Sequence, residues 1–157
     1  MAHNSVNVVG KVNTNHAVSN DFKLNSRIGG LDANGERTVF DTNKPYVLDY
    51  LEWSCNHEEE TRIEILIKTN EYPNGIALTR TLGRNGAQLI SYATPKNIMA
   101  HYAGIWDILD YDENVGAYKF RLKLPNLECP KGITIKVHNS GGTSRNIAVL
   151  YFGRELR

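Results

Sequence analysis

The chain has 157 residues, of which 41% are hydrophobic and 22% charged, and a net charge of +1. A domain of about 150 residues buries roughly 70% of its unfolded surface, so one domain that needs no disulfide staples is expected. Lys and Arg are spread along the chain, which excludes a general attraction to nucleic acid or anionic lipid, and no run of about 18 apolar residues offers a membrane-spanning helix.

The chain starts MAHNSVNVVGKVNTNH, without a charged segment leading into an apolar run, and is read as carrying no secretion signal. Apart from Val6, Val8, Val9 and Val12, residues 1–30 are mostly Asn, Ser, Thr, Gly and charge. The stretch "SVNVVGKV" suits one strand, and "NTNHAVSNDFKLNSRIGG" reads as an irregular connection anchored by Phe22, Leu24 and Ile28. Residues 1–30 are therefore expected to form a polar arm and residues 31–157 the folded domain. Val6, Val8 and Val9 are the arm's candidates for contact with another subunit.

From residue 36 the apolar period is close to two, the period of a strand. "YVLDYLEW" (46–53) is apolar on both faces and is placed centrally. "WSCNHEEETRIEILI" (53–67) follows, with Cys55, His57 and three glutamates close together. His57-Glu58 begins like the zinc peptidase HExxH, but Thr61 stands where the second His is required, one helical turn on. Cys55 and His57 find no nearby Cys or His to complete four ligands, so no metal is expected and residues 54–61 read as a solvated loop. Ile63, Ile65 and Ile67 then alternate with polar residues as a further strand.

"ATPKNIMAHYAG" (93–104) breaks the alternation: Thr94 is an N-cap candidate, Pro95 suits the first helical position, Ile98 and Tyr102 are one turn apart, and Gly104 suits the C-terminal stop. One short helix is predicted there. In "DILDYDENVGAYKFR" (107–121), Asp110, Asp112 and Asn114 match the first, third and fifth ligand positions of a calcium loop. The turn glycine arrives one residue late at Gly116, and Arg121 stands in place of the bidentate glutamate, so an acidic loop between two strands is the preferred reading.

Tyr118, Phe120, Leu122 and Leu124 alternate with polar residues, as do Ile133, Ile135 and Val137. "RNIAVLYF" (145–152) is apolar on both faces and joins 46–53 as a central strand. Asn34-Gly35, Asn74-Gly75 and Asn85-Gly86 suit type I′ hairpin turns, and "NSGGTS" (139–144) should close another hairpin. Cys55 and Cys129 form no CxxC pair and read as lone buried thiols, a bridge between them staying open. The expected fold is all-β: an antiparallel β-sandwich or jelly roll with at most one short helix.

Neither a GxSxG elbow nor a glycine-rich phosphate loop occurs, and the five histidines are scattered. Catalysis and a bound cofactor are therefore not expected. Trp53, Trp106, Tyr102 and Tyr111 are the candidate binding residues, as a stacking platform for sugar rings, although a Trp at a strand end more often belongs to a core or an interface.

An Asn-rich polar arm followed by a compact antiparallel sandwich resembles small virion proteins of tailed bacteriophages: tail, neck, baseplate and decoration proteins. The resemblance is one of texture over the whole chain, with no motif behind it. It implies a non-enzymatic structural protein that forms a homo-oligomer, contacts other virion proteins, and resides in the virion or the cytoplasm of the producing cell. The alternative is a carbohydrate-binding sandwich module that recognises a cell-surface glycan through its exposed aromatic residues.

Overall fold

The computed structural model describes the backbone of residues 17–23, 28–57, 60–82, 105–112 and 117–156, with side chains from residue 30 onward except at 81, 82 and 111. The strand foreseen over 5–12, the helix over 94–104, and Asn85, Asn114 and Gly116 lie outside these residues. Eleven strands follow in chain order: β1 (Ala17–Lys23), β2 (Ile28–Leu31), β3 (Glu36–Thr42), β4 (Tyr46–Asn56), β5 (Thr61–Ile67), β6 (Ile76–Leu82), β7 (Trp106–Asp112), β8 (Ala117–Leu122), β9 (Leu127–Cys129), β10 (Ile133–Asn139) and β11 (Arg145–Leu156). The described part is all-β, as the alternation predicts.

The two stretches read as central lie at the middle of one sheet. β4 and β11 pair antiparallel from Ile147 opposite Cys55 to Glu155 opposite Tyr46. Along its other edge β11 carries β1 and β2 in tandem, while β4 carries β8 and β9, and β7 closes the far side on β8. This seven-stranded sheet faces a four-stranded one in the order β3-β10-β5-β6.

The pairings are nested: β2 with β11, β3 with β10, β4 with β9, β5 with β6. They describe one long hairpin rolled up so that successive nested pairs fall in alternate sheets, and the cross-pairs of β4 with β11 and β5 with β10 close the roll. That nesting is the jelly-roll arrangement of a β-sandwich.

Three expectations are corrected by this topology. The stretch 13–30, read as an irregular connection, contains β1 and all but the last residue of β2. Their pairing is carried by main-chain hydrogen bonds to one neighbour, so polar sequence such as Ser19-Asn20-Asp21 forms a strand without hydrophobic alternation. Residues 54–56 belong to β4, and the loop starts only at His57. Neither the turn at Asn34-Gly35 nor the loop 140–144 closes a hairpin: each carries the chain from one sheet to the other. Turn chemistry specifies a reversal, Asn34 taking φ 53° and Gly35 N–H donating to Asp32 O, but not the sheet that receives the next strand.

Both inner faces are apolar. Leu51, Trp53 and Cys55 of β4 lie beside Val149 and Tyr151 of β11, against Ile63 and Ile65 of β5 and Ile133, Ile135 and Val137 of β10. Phe40 on β3 crosses between the sheets, its ring 5.0 Å from Tyr46 and 5.1 Å from Tyr151. Gly153 sits where β11 bulges against β4, and a side chain there would meet Val47 O and the Tyr46 ring.

Asn139, buried at the end of β10, fastens one end of the sandwich. Its amide donates to Leu31 O, Asp32 O and Thr143 O at 2.8–3.0 Å, and its carbonyl accepts from Gly141 N–H at 2.9 Å. One side chain thus satisfies the backbone of both loops that cross between sheets at that end. Asn139→Ala leaves these groups without their partner, and we expect a loss of about 3 kcal/mol in equilibrium denaturation.

Candidate functional site

The cluster that opens at Trp53 is divided by the strand that carries it. Trp53 and Cys55 point into the core, while His57, with φ 54°, is exposed at the turn, where its carbonyl accepts from Glu60 N–H at 2.9 Å. Glu60 is held by the guanidinium of Arg145, and Ser140 N–H donates to its carbonyl at 2.7 Å. Glu60 thus joins the β4–β5 turn to the β10–β11 loop. Among the described residues no group of three or more His, Cys, Asp or Glu is placed to hold a metal ion. Asp110 and Asp112 of the calcium-like stretch lie within β7 itself, which pairs with β8 as a hairpin.

Of the four candidate platform residues, the two tryptophans are inside the sandwich. Trp53 and Trp106 are 1% and 2% exposed, edge-to-face at 6.3 Å, with Phe120 stacked on Trp53 at 5.0 Å. Both indoles belong to the core, where a large ring contributes most by burial. Tyr102 lies outside the described residues, and of Tyr111 only the backbone in β7 is described; Val6, Val8 and Val9 also lie outside.

Two surface features escape a reading by periodicity. The first is a polar row across the outer face of the four-stranded sheet. His138 on β10 sits between Glu36 on β3 and Glu64 on β5, each ring nitrogen 3.1 Å from a carboxylate oxygen, and Arg80 on β6 reaches Glu64 at 3.0 Å. Lys136 adds a contact to Glu36 at 3.0 Å. Arg62 stands opposite His138 in the β10–β5 ladder, and both line a cleft of about 390 Å³ with Asn34, Glu60 and Ser140. The outward alternation of Arg62 and Glu64, and of Lys136 and His138, is visible in the sequence, but their alignment across strands depends on register.

Burial pushes the His138 imidazole below its ordinary value, and the Arg62 charge adds to this, against the pull of Glu64 and Glu36. A neutral ring has one N–H and donates to one carboxylate at a time; a protonated ring donates to both. Burial alone would raise the Glu64 carboxyl, but hydrogen bonds from Arg80 and His138 outweigh it and the group lies below its usual value. Glu36 is lowered mainly by its hydrogen bond from Lys136.

The second feature is apolar. Tyr72 and Ile76 are 50% and 48% exposed, the large hydrophobic side chains that the described residues leave in solvent. They flank Pro73-Asn74-Gly75, where Gly75 (φ 91°) donates its N–H to Tyr72 O at 2.9 Å. With Pro130 and Lys131 they border a groove of about 400 Å³ at the head of β6. The available signal was an aromatic and a β-branched residue placed on either side of a tight turn.

At the same end of the sandwich lies Lys68, 6% exposed, whose ammonium is held by Asp41 Oδ1 at 2.6 Å, Asn43 Oδ1 at 2.8 Å and Thr42 O at 3.1 Å. The hydrogen bond from Lys68, helped by one from Thr134, lowers the Asp41 carboxyl. All three donors of the buried ammonium are thereby used within the fold.

In comparisons with models of protein families and with curated proteins, the chain matches none.

Two predictions follow from these environments. Folded His138 lies below 6.5, so as pH drops from that value the unfolded chain binds a proton that the fold resists, and stability declines. Glu36, Glu64 and Asp41 also lie below their ordinary values, so their contributions are complete at neutral pH and are lost only as pH falls under about 4.5. Thermal melting should therefore weaken in two stages, and His138→Gln should remove the first. Cys55 and Cys129 are free and buried, with the Cys129 thiol pushed up to about 12 by burial. Neither should react with a disulfide reagent at neutral pH until denaturant is added, when both thiols should titrate.

Proposed function

We propose that the protein is a non-enzymatic structural brick that works by self-association and by contact with other structural proteins, in the manner of a small virion component. The observation that carries this reading is the Tyr72–Ile76 corner, an apolar surface beside the edge strand of a sandwich. The jelly roll is compatible with it, being an architecture shared by capsid proteins and lectins, but a fold by itself assigns no function.

The chemistry-bearing side chains support the same reading. His138, Glu36 and Glu64 engage one another, Glu60 engages Arg145, and Lys68 engages Asp41, each joining elements of the fold. The sugar-platform alternative loses the two indoles it relied on, since both are inside. Assembly is thus the better supported of the two.

Static light scattering of the full chain at micromolar concentration tests the proposal. A homo-oligomer with closed symmetry is expected, a trimer or a larger ring suiting a virion component. A monomer throughout that range overturns it.

A further inference from the structure

We propose that the edge of β6, headed by Tyr72 and Ile76, receives residues 5–12 of a second copy of this chain as an added strand. This inference rests on the self-association proposed above and names its contact.

The two edges of the four-stranded sheet differ in kind. β3 presents Glu36, Arg37, Thr38 and Asp41, all exposed, a charged and polar border of the type that discourages strand addition. β6 pairs with β5 along one side and with no other strand among the described residues, and Ile76 and Ala77 at its head are exposed. An added strand there gains main-chain hydrogen bonds along β6 and apolar contact at the corner.

The position of the chain's start argues for the occupant. β1 begins at Ala17 opposite Leu156, and Leu156 N–H donates to Pro45 O at 2.8 Å. Lys44 and Pro45 belong to the β3–β4 connection, whose Thr42 O and Asn43 hold the Lys68 ammonium, and Lys131 N–H donates to Lys68 O at 3.1 Å. The described chain therefore begins, at Ala17, at the end of the sandwich that carries the groove. With residues 5–12 laid on β6, residues 13–16 are the tether to β1, and the five steps from Val12 to Ala17 reach at most about 18 Å when extended, enough for a copy whose β6 edge abuts this end.

The composition of the segment matches the site. In "SVNVVGKV", Val6 and Val8 fall on one face of an extended strand, with Asn7 between them, and give that face an apolar stripe to set against Tyr72 and Ile76. Delivered from one copy to the next, the contact is head-to-tail and closes into a ring when the rotation allows.

The test uses full-length chains. Differently tagged Val8→Cys and Ile76→Cys variants are mixed, equilibrated and mildly oxidised; Cys55 and Cys129 are buried and stay out of the reaction. A covalent pair carrying both tags is expected. In parallel, Ile76→Lys should raise the concentration needed for association at least about tenfold, while Thr38→Lys on the β3 edge leaves it unchanged. If wild-type chains associate but no mixed pair forms, or Ile76→Lys and Thr38→Lys act alike, the proposed site is wrong and self-association stands. If a Val8→Cys/Ile76→Cys double variant links only within one chain, the arm folds back on its own copy and the proposal is overturned. Wild-type chains that remain monomeric overturn both readings.

Discussion

The ladder between β4 and β11 is the constraint on which the other pairings depend. These strands, 11 and 12 residues long, lie nearly the whole domain apart in sequence, yet each supplies an edge on which two shorter strands are laid in tandem. Closing so long a loop costs conformational entropy before any contact offsets it. The offset is the apolar layer beneath the ladder, where Leu51, Trp53, Cys55, Val149 and Tyr151 leave solvent together. Against the edges of this ladder, polar β1 and three-residue β9 are held as strands by pairing, while β8 adds Tyr118 and Phe120 to the core.

The two ends of the sandwich are finished differently. Where chain crossings would strand backbone groups, Asn139 satisfies four of them and the Glu60–Arg145 pair holds the adjoining turn. At the opposite end, the buried Lys68 ammonium gathers the β3–β4 connection, and its partners include the carboxylate of Asp41. A buried cation contributes by position as much as by energy, since desolvation offsets much of its attraction to Asp41. Both fastenings use one side chain to specify several backbone positions.

Much of this was legible in the sequence, and what was not has a physical reason. Alternation located β5, β8 and β10, and two-faced hydrophobicity placed β4 and β11 centrally, because burial on one or both faces leaves a period in the residues themselves. Sheet membership left no such trace: the turn after Asp32 and the loop after Asn139 have hairpin composition yet cross between sheets. β1 was illegible because a strand held by main-chain bonds imposes little on its side chains. Trp53 and Trp106 were ambiguous for the opposite reason, since a large ring serves a core or a binding face equally well. The His138 row required knowledge of register, as Glu36 and Glu64 lie 102 and 74 residues away from it along the chain.

The outer faces also bear on where association can occur. On the seven-stranded sheet, Lys119 meets Glu52 at 3.2 Å, Arg121 meets Asp107 at 3.0 Å, and one guanidinium nitrogen of Arg154 donates to both carboxylate oxygens of Asp49, at 2.6 and 2.7 Å. On the four-stranded sheet, the row from Glu36 through His138 and Glu64 to Arg80 is similarly engaged. A pair with both partners well exposed, such as Arg121 with Asp107, adds little stability, about 0–1 kcal/mol, whereas Glu52, Glu64 and His138 are largely buried. The larger effect of these pairs is on contact: a partner laid over either face would have to dehydrate charges that already have partners, and would offer them nothing better in return. At the rim the balance reverses. Tyr72 and Ile76 would gain by leaving water, and an edge strand would gain main-chain hydrogen bonds that solvent otherwise supplies, so the edge and corner of the sandwich suit the proposed association better than either charged face does.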